Sequence, residues 1–221
     1  MSSTGKKGAE SKIVVLGNAG VGKSALVVRF LTRRFIWEYD PTLECTYKHH
    51  TTVDDEAVTM EILDTAGPQY TIHREGHVRW GDGFVLVYGI NDRHSFEEIQ
   101  NIKQYLDDIK KTNLMCVLIG NKSDLCHERK VSYVEGQNLA TDMACAFYEI
   151  SASDGGEEIS ELFHELHREI KRRKQMEAKP RRRSSAHQVR NMFHILFKSP
   201  NGKQPFSPSS PTGKQQFLVP P

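Results

Sequence analysis

Lys12 to Leu16 (KIVVL) runs apolar without polar alternation, the pattern of a strand buried on both faces of a parallel sheet. Ser24 to Thr32 follows, with Leu26, Val27, Phe30 and Leu31 at helical spacing, which predicts an amphipathic helix. Stretches at about 46–53 and 57–63 flank Asp54-Asp55-Glu56 and predict a hairpin. The pattern then predicts a strand at Phe84 to Ile90, a helix at about 94–111 and a strand at Leu114 to Ile119. A helix near 135–144, a strand at Phe147 to Ile150 and a long helix at about 157–176 complete it. This alternation calls for an α/β fold: a mostly parallel six-stranded sheet, one antiparallel edge strand and helices on both faces.

Composition agrees with a soluble globular body. Of 221 residues, 38% are apolar and 26% charged, which excludes wholesale disorder and collagen-like structure. Apolar runs such as Phe84 to Tyr88 fall far short of the ~20 residues a membrane span needs. No apolar segment of signal-peptide length follows the basic N-terminus, so secretion is not expected. Cys45, Cys116, Cys126 and Cys145 show no C-x-x-C or zinc-type spacing and read as reduced thiols of an intracellular protein.

Charge changes the picture at the C-terminal end. From Lys179 onward the chain carries eight basic residues and no Asp or Glu, whereas residues 1–178 hold 22 basic against 28 acidic. An acidic body argues against a nucleic-acid-binding domain, and the tail suits an anionic partner. The layout expected is a flexible N-terminus over 1–10, a folded domain over 11–176 and a largely disordered tail over 177–221.

The strongest chemical signal is Gly17-Asn18-Ala19-Gly20-Val21-Gly22-Lys23-Ser24, a G-x-x-x-x-G-K-S motif between a predicted strand and a helix that continues through Ala25. Glycines there let the backbone wrap a phosphate chain, and amides at the helix start donate to its oxygens. Lys23 would reach the β- and γ-phosphates, and the Ser24 hydroxyl would ligate Mg²⁺. Asp64-Thr65-Ala66-Gly67 ends the next core strand; Asp64 can hold Mg²⁺ through water, and the Gly67 amide can sense a γ-phosphate. Asn121-Lys122-Ser123-Asp124 leaves the strand Leu114 to Ile119, and Asp124 can accept from N1–H and the exocyclic amine of guanine, a pattern adenine lacks. Ser151-Ala152-Ser153 could present the Ala152 amide to the guanine oxygen. Each of the last three is a common turn or polar loop when met alone. All four motifs lie at the carboxyl ends of predicted strands, the edge where open α/β sheets bind ligands.

With these motifs in that order, residues 10–175 resemble the small GTPases of the Ras family, which implies the G-domain form of the P-loop NTPase fold, GTP/GDP as ligand, Mg²⁺ as cofactor and a monomer. The resemblance also makes Thr42, in Tyr39-Asp40-Pro41-Thr42-Leu43-Glu44, the residue that closes on Mg²⁺ and the γ-phosphate. It places Phe35 on the guanine edge, where a core aromatic is the plainer reading, and assigns Tyr39 to Glu44 to effector proteins. Lys23, Thr42 and Gly67 would then carry the catalytic roles. Phe30 to Tyr39, Arg74 to Trp80 and Arg181 to Ser185 resemble, more narrowly, the branch of Ras-related, oestrogen-regulated growth inhibitors.

Two positions depart from the family. Pro68 stands where Ras proteins carry the glutamine that orients water; it has no donor side chain and no backbone N–H, and it biases Gly67 toward extended backbone. Ala19 replaces the second loop glycine. A GTPase with slow hydrolysis is expected, or alternatively a pseudo-GTPase that holds nucleotide with negligible turnover; a neutral Pro68 with another group positioning water is a further reading. An adenine-nucleotide enzyme on the same loop is disfavoured by Asn121 and Asp124.

The chain ends in Leu218-Val219-Pro220-Pro221 and its last cysteine is Cys145, so no tail prenylation is expected. Arg181 to Arg183 with Val189, Met192, Phe193 and Leu196 suit a basic amphipathic helix over about 186–198, against a solvated, disordered tail as the alternative. Such a helix could meet an anionic membrane or calmodulin, or serve as a nuclear address, on an otherwise cytoplasmic protein. Ser184 and Ser185 follow the arginines, and phosphorylation there would offset part of the charge.

Overall fold

A computed structural model describes residues 9–36, 43–65, 74–111 and 114–178. The expectations for Tyr39, Asp40, Pro41, Thr42, Ala66, Gly67, Pro68 and the tail from Lys179 lie outside these residues.

Six strands form one sheet: β1 Ala9–Gly17, β2 Cys45–Val53, β3 Glu56–Asp64, β4 Gly83–Gly89, β5 Met115–Asn121 and β6 Ala146–Glu149. Their spatial order is β2-β3-β1-β4-β5-β6, and only the β2–β3 pair is antiparallel. Among the described residues five helices join them: α1 Lys23–Thr32, α2 Arg74–Trp80, α3 Arg93–Lys110, α4 Tyr133–Asp142 and α5 Glu157–Ala178. The mixed α/β architecture is the one expected from the pattern.

Alternate residues of each central strand feed opposite cores, which is why those strands are apolar throughout. Ile13 and Val15 of β1 join Val85 and Val87 of β4 beneath Phe30 of α1 and Leu162 and Phe163 of α5. Val14 and Leu16 join Phe84 and Leu86 beneath Val78 of α2, Ile99 and Leu106 of α3 and Leu139 of α4. The β2–β3 turn has positive φ at both Asp54 (51°) and Asp55 (61°), as a two-residue hairpin loop requires.

Several boundaries differ from expectation. Ala9 and Glu10 pair with Val58 and Thr59 of β3, so the ordered domain starts before residue 11. Helix α4 starts at Tyr133 rather than near 135 because Ser132 and Glu135 form a reciprocal capping box. Two elements were not expected: the seven-residue α2, in which Val78 is buried, and a 3₁₀ segment at Ser123–Glu128 that buries none. Neither offers the periodic apolar stripe that betrays a helix.

Candidate functional site

The loop from β1 to α1 is shaped by what its glycines exclude. Gly22 adopts φ 94°, ψ 30°, and a Cβ on it would lie 2.3 Å from Asn121 Nδ2. A Cβ on Gly17 would lie 2.2 Å from the Val87 carbonyl oxygen. Larger residues at either point would push the loop off β4 or off Asn121. No side chain caps α1 and its first turn holds no acid, so its terminal N–H groups and the positive end of its dipole remain suited to an anion. Lys23 is 7% exposed; its ammonium curls back and donates to the carbonyl oxygens of Gly17 (2.8 Å) and Asn18 (2.9 Å). Ala19 and Gly20 are exposed at the loop's outer turn, Val21 is buried, and Ala25 packs into the core behind it.

Asp64 ends β3 beside this loop, in register with Val15. Its carboxylate is 3% exposed, and Oδ1 has no hydrogen-bond partner among the described residues. Burial pushes this carboxyl up from its ordinary range, against the opposing pull of a hydrogen bond with Ser24 and the Lys23 charge. A buried anion with one oxygen unsatisfied fits a divalent cation, which would meet that lone pair and reverse the desolvation cost. Among the described residues no group of three His, Cys, Asp or Glu side chains could form a metal cage. The donors available are thus the Ser24 hydroxyl and the Asp64 carboxylate, the sparse set that Mg²⁺ takes together with substrate phosphates. Thr65 fastens the strand end by donating from Oγ1 to the Val15 carbonyl at 2.7 Å.

Asn121, 1% exposed, ties three segments together. Its Nδ2 donates to the Val21 carbonyl at 2.7 Å, and its Oδ1 accepts from the Ala152 amide at 3.1 Å. Lys122 turns through the left-handed region at φ 67°, bringing Asp124 alongside Ser151. There Ser151 Oγ donates to Asp124 Oδ1 at 2.6 Å and accepts from the Asp154 amide at 3.1 Å. A cleft of about 320 Å³ opens between these groups, lined by Phe35, Asn121, Lys122, Asp124 and Ala152 among others.

The sequence-expected residues of the described chain therefore converge on one edge of the sheet, in a base-sized cleft at one end and a lysine–aspartate centre at the other. One detail differs. The Ala152 amide, expected to face a purine oxygen, donates to Asn121 instead, because Asn121 needs a donor for its buried oxygen. Leu125 and Ser153 also line the cleft and had no assigned role. Leu125 follows the Asn-Lys-Ser-Asp run directly, and Ser153 ends the Ser-Ala-Ser run; neither residue type carries a signal alone. Of the expected partner-facing residues, Leu43 is 57% exposed, while Glu44 lies 3.1 Å from His77 Nε2 of α2.

Comparison with known proteins matches the Ras family over residues 12–172, an interval that contains every site residue described above. The Bos taurus protein "Ras-related and estrogen-regulated growth inhibitor" is 63% identical over 191 residues, 86% of this chain and 96% of its own length. The Homo sapiens protein of the same name is 62% identical with the same coverage. The Mus musculus "GTP-binding protein Rit1" is 43% identical over 166 residues, 74% of this chain and 75% of its own.

Proposed function

Because the chain belongs to the Ras family, we propose that it is a GTP-binding, Mg²⁺-dependent molecular switch that hydrolyses GTP to GDP slowly. The observation that carries this reading is the cross-tie made by Asn121, which holds the phosphate loop through Val21 and the Ala152 segment at once. Base and phosphate ends of a nucleotide would thereby be gripped by one fixed frame.

Each residue has a role that follows from its setting. Asp124, oriented by Ser151, accepts from N1–H and the 2-amino group of guanine; adenine would leave that carboxylate unpaired. Phe35 covers the base, and Lys122 forms part of the wall. The Lys23 ammonium exchanges its two carbonyl acceptors for β- and γ-phosphate oxygens, a stronger charge-assisted bond. Amides from Gly17 to Ala25 line the phosphate chain. Ser24 and Asp64 would hold Mg²⁺, which when bound neutralises charge on the phosphates, with Thr42 completing the set. Thr65, Ala66 and Gly67 are assigned to the nucleotide, with the Gly67 amide as the γ-phosphate sensor.

Slow hydrolysis rests on Pro68, which supplies neither side-chain nor backbone donor to an attacking water. The same residue favours the second reading, a nucleotide-bound module with negligible turnover. In either case the output is a change of order around Tyr39 to Glu44 that effector proteins detect. The basic tail is proposed to meet anionic surfaces; among the described residues no helix is long and apolar enough to cross a membrane.

Chromatography of nucleotide released from the denatured protein tests this reading. Guanine nucleotide is expected, mostly GDP if the chain turns over and mostly GTP if it is a module; adenine nucleotide contradicts both. Single-turnover hydrolysis should be faster for Pro68→Gln, and an unchanged rate removes Pro68 from the catalytic position.

A further inference from the structure

At the edge of the sheet far from the proposed nucleotide site, β5 and β6 begin side by side. Their first paired rung is Val117 with Ala146, and the residues just before it on the two sides are Cys116 and Cys145. Partners across a parallel pair point to the same face, and both cysteines do: Cys116 belongs to the core under α3 and α4, and Cys145 packs against it. Neighbouring strands lie ~4.8 Å apart, inside the ~4.4–6.8 Å Cα separation a disulfide spans.

The two thiols are unequal. Cys116 is 8% exposed, whereas Cys145 is half-buried. The neighbouring Cys116 thiol pulls the Cys145 thiol below its ordinary value, while Cys145 and burial push Cys116 up. Lys103 of α3 adds a positive field that lowers both. A half-buried thiol beside a buried one, at the same register and on the same face of the sheet, is the arrangement of an attacking and a resolving cysteine. Cys45 and Cys126 lie on β2 and in the 3₁₀ segment, away from this pair.

We propose that Cys116 and Cys145 form a reversible disulfide that clamps β5 to β6 when the chain meets a hydroperoxide. The Cys145 thiolate attacks one peroxide oxygen, an S–O bond forms as the O–O bond breaks, and hydroxide leaves and is protonated to water. The Cys116 sulfur then attacks the sulfenic sulfur; the S–O bond breaks and the second oxygen leaves as water. Two thiols are oxidised and one hydrogen peroxide is reduced to two waters. A dithiol reductant reverses the step by exchange.

The clamp sits at the opposite end of the two strands that carry the proposed base-holding residues: β5 runs to Asn121, and β6 leads to Ser151 and Ala152. Oxidation should therefore stiffen that frame and slow nucleotide release, a consequence that rests on the proposed function.

The full-length protein treated with hydrogen peroxide, blocked with an alkylating agent and digested without reductant tests the bond by mass spectrometry. Expected are a Cys116–Cys145 linked peptide, 2 Da lighter than its two reduced halves, loss of two alkylatable thiols, and recovery of both with dithiothreitol. In Cys116→Ser the linkage is lost and Cys145 is trapped as sulfenic acid by dimedone. Both cysteines remaining alkylatable, or Cys145 linked elsewhere, overturns the proposal. Release of a fluorescent GDP analogue from oxidised and reduced protein then separates the consequence. Slower release after oxidation supports it, an equal or faster rate overturns it while the mapped bond stands, and no binding by reduced protein tells against the proposed function instead.

Discussion

The two ends of the candidate site are built on opposite principles. At the base end the side chains of Asn121 and Asp124 are already engaged: Asn121 bridges Val21 and Ala152, and Asp124 is held by Ser151. At the phosphate end the charges are poised. Lys23 is spent on two backbone carbonyls, and Asp64 keeps one buried oxygen without a partner among the described residues. Fully satisfied polar networks rigidify a structure, whereas unsatisfied buried groups cost free energy until a ligand meets them. The base end is therefore a fixed frame, whereas the phosphate end keeps a buried carboxylate oxygen that a cation would satisfy.

This contrast can be broken from either side. The largest effect is expected at the phosphate end: Lys23→Ala should weaken guanine-nucleotide binding by about 4 kcal/mol, roughly a thousandfold, because buried phosphate charge loses its cation. Titration calorimetry reads this directly, and a loss below tenfold would mean that Lys23 keeps its carbonyl partners when ligand arrives. Gly22→Ala strikes the junction of the two ends. A side chain in the left-handed region, pressed against Asn121 Nδ2, should cost roughly 2 kcal/mol of thermal stability and loosen the base end with it.

Smaller effects sharpen the comparison. Ser151→Ala removes the donor that aims Asp124 and should cost about 1 kcal/mol of affinity, roughly fivefold, with Mg²⁺ dependence unchanged. Asp64→Asn should separate stability from function. Burial raises the folded-state pKa of Asp64 above its unfolded value, so the folded chain holds that proton more tightly. The penalty is absent below the unfolded pKa, grows as pH rises through the raised value and is complete above it. Without Mg²⁺ and nucleotide, the variant should thus melt higher at neutral pH, by a gain of about 1 kcal/mol, and the gain should vanish in acid. With them, it should bind more weakly and lose its response to Mg²⁺. A variant that melts lower at neutral pH would contradict the strained reading of Asp64.

Legibility in the sequence followed the length scale of each feature. The phosphate loop was readable because its chemistry is contained in eight consecutive residues flanked by an apolar strand and an amphipathic helix. The sheet was readable because β1, β4 and β5 are apolar on both faces. The hairpin was readable from Asp54-Asp55, although its two left-handed aspartates are less obliging than glycine. What escaped was either short or long-range. Helix α2 escaped because seven residues, mostly polar in sequence, carry no periodicity. Asn121's hold on Val21 escaped because it spans 100 positions. The Cys116–Cys145 juxtaposition escaped because it depends on strand register, and spacing alone argued only against a metal site. Pro68 was visible at once; its effect lies in chemistry rather than in fold.

The central claim is that the Asp124 carboxylate selects the base. Binding of guanosine and xanthosine diphosphates to the wild-type chain and to Asp124→Asn tests it most directly. Wild type should prefer the guanosine form, and the variant should reverse that order, because an amide can donate to the xanthine 2-oxo group where a carboxylate repels it. An unchanged preference for guanosine diphosphate in Asp124→Asn would contradict the account.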